Sequence, residues 1–555
     1  MPNSRKRKEE RKNDVFHFDN IIQVGKMENN RKKSLVLLIL FLIVYMGIAI
    51  SLNVYYVKNN AYTAQYIEIA AVPGSGEVTF RGMLIDSSWY NPQDVIVDSS
   101  TWAKNETGTL YTATDDSTLH LKIPSGEKFE TTFNVGPEQG KVEVDAKGKK
   151  IILDLRADAE IEMGKSFELP MLSGFGVSQY VINRNAAIVV GAVAIIMIFA
   201  IFLLHKERKS TKKENTQRNN AVELLRFAII MCVCVHHYCG YAPGGYLGVD
   251  FFFVLGGFLL MQHFRYKNYS EQMPVTIAWS YTIGRYKRLL PAYLFAFLIS
   301  ILLGISLAET ISGSVFVNNS IWELSMLEGF GITENLVVGP GWFCSSMLIA
   351  GFIIYFLLAK NEKIYLQLIA PVSFMVIFTW MFRTFGHLNR WLQYDSFIAT
   401  GTLRGFAEMG LGCICFKIFT YLKEEVTEKY KIWSSIIEIC CIGYITYIIF
   451  NYGMTQADFT CTIAMAVLIT SLFIGNSFLA RMLNNKISGY LGKISLAIYL
   501  NHIVLAKVNW NLLLGIEWKY SFICYLLIVI VFSCISTEFV NSLLYMLKQR
   551  RERFC

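Results

Sequence analysis

The sequence predicts a polytopic α-helical membrane protein: a bundle of about ten helices, preceded by two more that flank an extracytoplasmic β-sandwich-like domain. Three observations predict it. Hydrophobic residues make up 53% of the 555 and charged residues only 17%, with a mean hydropathy of +0.38, high for a soluble chain. Apolar runs of about 18 to 22 residues recur from Ser34 onward, each long enough to cross a hydrocarbon core of about 30 Å. Between the first two runs lies a polar segment with a two-residue rather than a helical period.

The first elements set the topology. Residues 1–33 form a basic tail containing "RKRKEERK" and "RKK". The run 34–56 that follows has no small-residue cleavage site after it, which marks an anchor rather than a removed signal peptide. A second run, 186–204, precedes the mostly basic linker 205–219, "HKERKSTKKENTQRN". Lys and Arg flank both runs on the same side, so the positive-inside rule places tail and linker in the cytoplasm and 57–185 outside.

That outer segment is too long for a structureless connection. Stretches such as "EVTFRGMLID", "TLHLKIPSG", "KFETTFNVG" and "KVEVDAKGKK" read as short strands. Leu119, Leu121 and Ile123 are expected on one face, with Lys122 opposite. From Val57 to Asn183 there are 18 Asp and Glu against 11 Lys and Arg, a net of −7. The whole-chain excess of +9 therefore belongs to the cytoplasmic pieces and reflects topology, not nucleic-acid binding. None of the twelve cysteines falls in this segment. Apart from Cys555 in the tail they cluster in apolar spans without metal-ligand spacing, so no disulfide or metal role is expected.

Residues 220–545 hold ten further runs, near 221–239, 246–264, 289–309, 341–359, 363–382, 402–421, 432–450, 458–475, 487–507 and 520–541. Counted alternately from a cytoplasmic start, the basic connections and the tail 546–555, which holds "KQRRERF" with Lys548, all fall inside. Both termini are therefore expected in the cytoplasm of a multi-pass cell-membrane protein.

The first of these runs, "ELLRFAIIMCVCVHHYCGY", carries Arg226 near one end and His236 and His237 near the other. Eleven helical steps of 100° bring His237 to within about 20° of the Arg226 direction, with His236 about 80° away. Ionisable groups in lipid are costly and usually line a polar cavity, although an arginine near a helix end can also snorkel. Asp250, in "GYLGVDFFFVLGGFLL", lies about one turn inside the next run and is expected near the depth of His237, as a carboxylate orienting an imidazole base. A transporter or sensor using the same polar cavity is the rival reading.

Further motifs narrow the choice. "ELLRFAIIMCVCVHH", "GVDFFFVLGGFLL", "RYKRLLPAY", "GPGWFCSSMLIA" and "LGKISLAIYLNHIVL" occur in that order over about residues 220–545. Together they resemble the acyltransferase-3 family of integral-membrane acyltransferases, many of which O-acetylate surface polysaccharides. The sequence departs at Gly256, where serine is common, and at Asn501, where an aromatic usually precedes the histidine.

The resemblance implies a reaction: an acyl group, acetyl above all, moves from cytoplasmic acetyl-CoA or another acyl-CoA to a hydroxyl of an extracytoplasmic cell-surface glycan or its lipid-linked precursor. Lipid is then the surrounding partner, and no metal is required. His237 is the expected general base, with Asp250 beside it and Arg226 held by Glu223. Arg285 and Arg288, assisted by Lys287, suit the donor phosphates, unless they are an ordinary positive-inside flank. Glu408 is a cavity residue or an ion-pair partner of Arg404, Trp342 an interfacial anchor or a ligand, and His502 a further site candidate. His387 is expected outside and solvated. The outer segment carries neither a GDS nor a GxSxG nucleophile motif, so it reads as an acceptor-binding or docking module.

Overall fold

The computed structural model describes residues 40–551 apart from short internal segments, the longest of them 206–218. The tail 1–33, nearly all of the linker 205–219 and the last four residues of the tail 546–555 lie outside the described residues.

Helix α1 (Leu40–Lys58) leads into an all-antiparallel β domain. Its strands are β1 (Gln65–Ala71), β2 (Val78–Ile85), β3 (Ser88–Tyr90), β4 (Ile96–Asp98), β5 (Ala103–Lys104), β6 (Tyr111–Ala113), β7 (Thr118–Ile123), β8 (Phe129–Phe133), β9 (Lys141–Ala146), β10 (Lys149–Asp154) and β11 (Lys165–Glu168), with the one-turn helix α2 (Pro92–Val95) between β3 and β4. They form two sheets, ordered β10-β9-β1-β7-β4 and β11-β8-β2-β6-β5, with β3 on β2. One core lies between them, with Ile67, Leu121 and Val144 from the first sheet and Phe80, Met83 and Phe133 from the second. Leu119, Leu121 and Ile123 are fully buried while Lys122 is exposed, as the alternation requires.

The chain returns through α3 (Gln179–His205) to the bundle: α4 (Asn220–Cys239), α5 (Gly248–Tyr266), α6 (Pro274–Ser306), α7 (Gly313–Leu324), α8 (Trp342–Ile364), α9 (Ala370–Thr384), α10 (Thr400–Glu425), α11 (Lys431–Asn451), α12 (Ala457–Ile474), α13 (Phe478–Leu483), α14 (Lys486–Ala506), α15 (Trp510–Leu514) and α16 (Trp518–Arg551). Eleven segments among the described residues are long and apolar enough to cross a membrane. One of them, Gly339–Thr384, bends at Asn361 (φ −161°, ψ 95°) and so holds two of the expected runs, α8 and α9.

The run at 289–309 is the second half of α6, a continuous 33-residue helix through Pro291, so Arg285 and Arg288 sit on the spanning helix itself. The connection after it is structured. It contains α7 and enters the bundle, where Glu323 accepts from the Val337 and Val338 amides and from the Tyr293 hydroxyl (2.8, 2.6 and 3.2 Å). Irregular backbone inside a bundle needs such side-chain partners. Finally, α16 runs to Arg551, so the start of the tail 546–555 is helical.

Helices α1 and α3 are packed on the bundle rather than standing apart from it. Tyr45 donates to the Leu298 carbonyl (3.0 Å), Phe41 meets Phe539 (6.0 Å), and the Asn183 side chain accepts from the Asn509 amide (2.7 Å).

Candidate active site

Helix α4 is bounded by its own sequence. Asn219 caps the first turn by accepting from Ala221 and Val222, and Gly240 ends the helix directly after the histidines at φ 69°. Small residues then bring α14 alongside. Gly489 lies against the Asn220 side chain and Gly492 against the backbone and side chain of Glu223, where a Cβ would collide. Higher up, the rings of His237 and His502 are 5.1 Å apart. Contacts ascend together on both helices, so α4 and α14 are parallel, as the first and ninth of ten alternating crossings must be.

The two outer imidazoles are fixed by backbone carbonyls. Nδ1 of His236 donates to Ala242 O at 2.9 Å, and Nδ1 of His502 donates to Tyr499 O at 2.6 Å. His502 is fully buried, and its Nε2, left with a free lone pair, has no partner among the described residues. His237 is exposed, with His236 on one side (4.9 Å) and His502 on the other. It is therefore the imidazole of the three that an entering molecule reaches. On the same helix, Arg226 donates to Glu223 at 2.8 Å, the ion pair expected from their i,i+3 spacing.

Asp250 does not join this group. Gly248 packs on Val233 and Ile229, a turn or more below His237, so Asp250 enters α5 deeper than expected. There both of its oxygens accept from Arg404, through Nε at 2.7 Å and through Nη2. Arg404 also donates to Leu388 O (2.7 Å) and to Glu408 (3.3 Å), whose other oxygen has no hydrogen-bond partner among the described residues. Glu408 is thus the ion-pair partner of Arg404. Asp458 completes the cluster, accepting from the Tyr246 hydroxyl and the Leu388 amide (2.6 and 2.9 Å). The crossing that makes this possible is close: Gly257 of α5 lies on the Met409 backbone and Gly412 of α10 on that of Val254. The physical reason is that a buried carboxylate requires a cation: α10 supplies Arg404, whereas Arg226, the arginine of α4, is held by Glu223.

Trp342 is also displaced from its expected place as an interfacial anchor. It is 8% exposed, packs on Phe253 (6.3 Å) and opens α8 beside Gly341, which lies against the Tyr293 hydroxyl well inside α6. His387 is half-buried in the loop after α9, and burial together with the Arg390 and Arg404 charges lowers its pKa.

At the far end of the bundle, α5 and α6 enclose an open recess of about 460 Å³ lined by Leu259, Gln262, His263, Tyr266, Lys267, Tyr281, Arg285 and Arg288. No carboxylate lines it among the described residues, and neither arginine has an acidic partner there. Lys287 is exposed and does not line it. A column of side chains joins recess and histidines. Arg285 touches Met347 Sδ (3.3 Å); one turn along α8, Phe343 meets Tyr499 (5.4 Å); Tyr499 meets His502 (5.8 Å); and His502 meets His237. Met347 and Phe343 are about 6 Å apart along the axis, and Tyr499 and His502 about 4.5 Å. Among the described residues no group of His, Cys, Asp and Glu converges as a metal site.

An accessible imidazole beside a second one, in a helical membrane bundle with a cationic recess opposite, is an arrangement that general-base acyl transfer can use. Residues 219–538, more than half of the chain, match the family model described as an acyltransferase domain, and the chain belongs to the acyltransferase-3 family. Among curated proteins it is similar to the O-acetyltransferase OatA of Staphylococcus aureus strains COL and MW2, at 23% identity over 352 residues, 58% of this chain and 56% of theirs. The chain thus spans about half the length of these relatives.

Sequence reasoning missed Arg404 as the partner of Asp250, and it missed Asp458, Glu323, His263 and Lys267. Asp458 had a readable signal, a carboxylate in the first turn of an apolar run.

Proposed function

We propose that this protein moves an acetyl group from acetyl-CoA, bound at the Arg285–Arg288 recess on the cytoplasmic side, to a hydroxyl of a cell-surface glycan or its lipid-linked precursor on the outer side. The observation that carries the reading is the closeness of exposed His237 to buried His502, ring centroids 5.1 Å apart, with the His502 Nε2 lacking a partner among the described residues, on a column that leads back to Arg285. The named relatives are O-acetyltransferases, which favours a hydroxyl acceptor.

The donor phosphates rest against Arg285 and Arg288, and the pantetheine arm follows Met347 and Phe343 inward. His237 takes the proton from the acceptor hydroxyl as its oxygen attacks the thioester carbonyl. The C–S bond breaks, and the coenzyme A thiolate leaves with the proton that His237 gives up. His502 accepts the other N–H of His237, which selects the tautomer with a free nitrogen and stabilises the imidazolium. Arg226, held by Glu223, keeps positive charge on the same helix face, while the Asp250–Arg404–Glu408 cluster positions α5 against α10. His236 and Trp342 shape the surroundings. The outer β domain receives or presents the acceptor.

The test is incubation of the purified protein with radiolabelled acetyl-CoA and cell-envelope glycan. Base-labile label on the glycan is expected; label released only as acetate, or none, would overturn the reading.

A further inference from the structure

The recess has a second cationic level that the arginine pair does not explain. Tyr281 stacks on Tyr355 (4.1 Å) and lies level with His263, ring centroids 5.4 Å apart, so α5 and α6 are in register at that point. Arg285 is four residues along α6 towards the bundle centre, about 6 Å. Lys267, the residue directly after α5, is four residues beyond His263 in the opposite direction, again about 6 Å. Two positive levels about 12 Å apart thus line one recess, with Tyr266, 79% exposed, at its rim. The end of α5 is held in place: Arg265 pairs with Glu362 of α8 at 2.8 Å, and His263 with the Tyr355 hydroxyl at 2.8 Å.

The geometry points to Lys267 and Tyr266 as the nucleotide-reading half of the donor site, with Lys267 binding the 3′-phosphate of coenzyme A and Tyr266 stacking on its adenine. This inference rests on the donor assignment above and adds to it. A thioester that must travel inward past Arg285 leaves the nucleotide outermost, where Tyr266 and Lys267 stand. Two anionic groups on one ligand match two cationic levels, which a simple phosphate or a monophosphate lipid headgroup does not. An aromatic face stacks on a base whatever its sequence context, and a lysine reads a phosphate as a point charge.

The experiment measures binding of coenzyme A and of dephospho-coenzyme A, which lacks only the 3′-phosphate, to the purified full chain in detergent. Wild type should prefer coenzyme A by about tenfold or more, the worth of one charge-assisted contact. Lys267→Gln should remove that preference while binding dephospho-coenzyme A as wild type does, and Tyr266→Ala should weaken both ligands alike. Arg285→Gln should weaken both and keep the preference. A Lys267→Gln protein that still prefers coenzyme A overturns the inference and leaves the donor site standing. Wild type that binds neither ligand overturns the donor site as well.

Discussion

The Asp250–Arg404 pair separates a positioning role from a chemical one, and substitution there has effects whose order is set by the contacts. Arg404 is 2% exposed and holds both Asp250 oxygens, Glu408 and Leu388 O. Arg404→Met would leave Asp250 buried without a cation, a loss of about 3–5 kcal/mol. Asp250→Asn keeps the shape and one acceptor but gives up one charge-assisted bond, about 1.5–3 kcal/mol. Glu408→Gln disturbs a 3.3 Å contact to Arg404 and leaves an acceptor in place, about 1 kcal/mol or less. Thermal unfolding in detergent, paired with transfer rate per folded molecule, should therefore rank the three variants in that order of stability loss. Activity per folded molecule should stay near wild type for Asp250→Asn. Normal melting of that variant with turnover abolished would refute the reasoning and return Asp250 to the chemistry beside His237.

Two further outcomes follow from the α4–α14 pair. His237→Ala should lower the transfer rate by about 10²- to 10⁴-fold with coenzyme A binding intact, whereas His236→Ala, whose ring is committed to Ala242 O, should keep most activity; the reverse pattern in a steady-state assay would misplace the base. Gly492→Ala puts a Cβ into the Glu223 backbone and should cost about 1–3 kcal/mol, while Gly489→Ala meets only the movable end of Asn220 and should be milder; equal melting of the two variants would contradict the close approach.

Local signals were the legible part of this protein. The alternation of Leu119, Leu121 and Ile123 acts within a few residues, and the described structure keeps it. The alternation of basic connections put the first and ninth runs of the bundle in the same direction, and the parallel contacts of α4 and α14 agree. Arg226 with Glu223 was readable from spacing alone. What could not be read depends on crossings between helices far apart in sequence. Asp250 and Arg404 are 154 residues apart and meet because glycines let α5 and α10 touch, which no local period encodes. The same holds for His237 with His502. It holds also for the chain after α6, where Glu323 became legible only once the Val337 and Val338 amides were seen to need an acceptor.

The central claim is that donor and acceptor are handled at opposite ends of one bundle, with His237 at the point of transfer. It is tested most directly in proteoliposomes of uniform orientation, with labelled acetyl-CoA supplied on one side and glycan acceptor on the other. Labelled ester is expected on the glycan only when acetyl-CoA faces the Arg285–Arg288 recess, and none with His237→Ala. Equal labelling with acetyl-CoA on either side, or labelling that persists in His237→Ala, would contradict it.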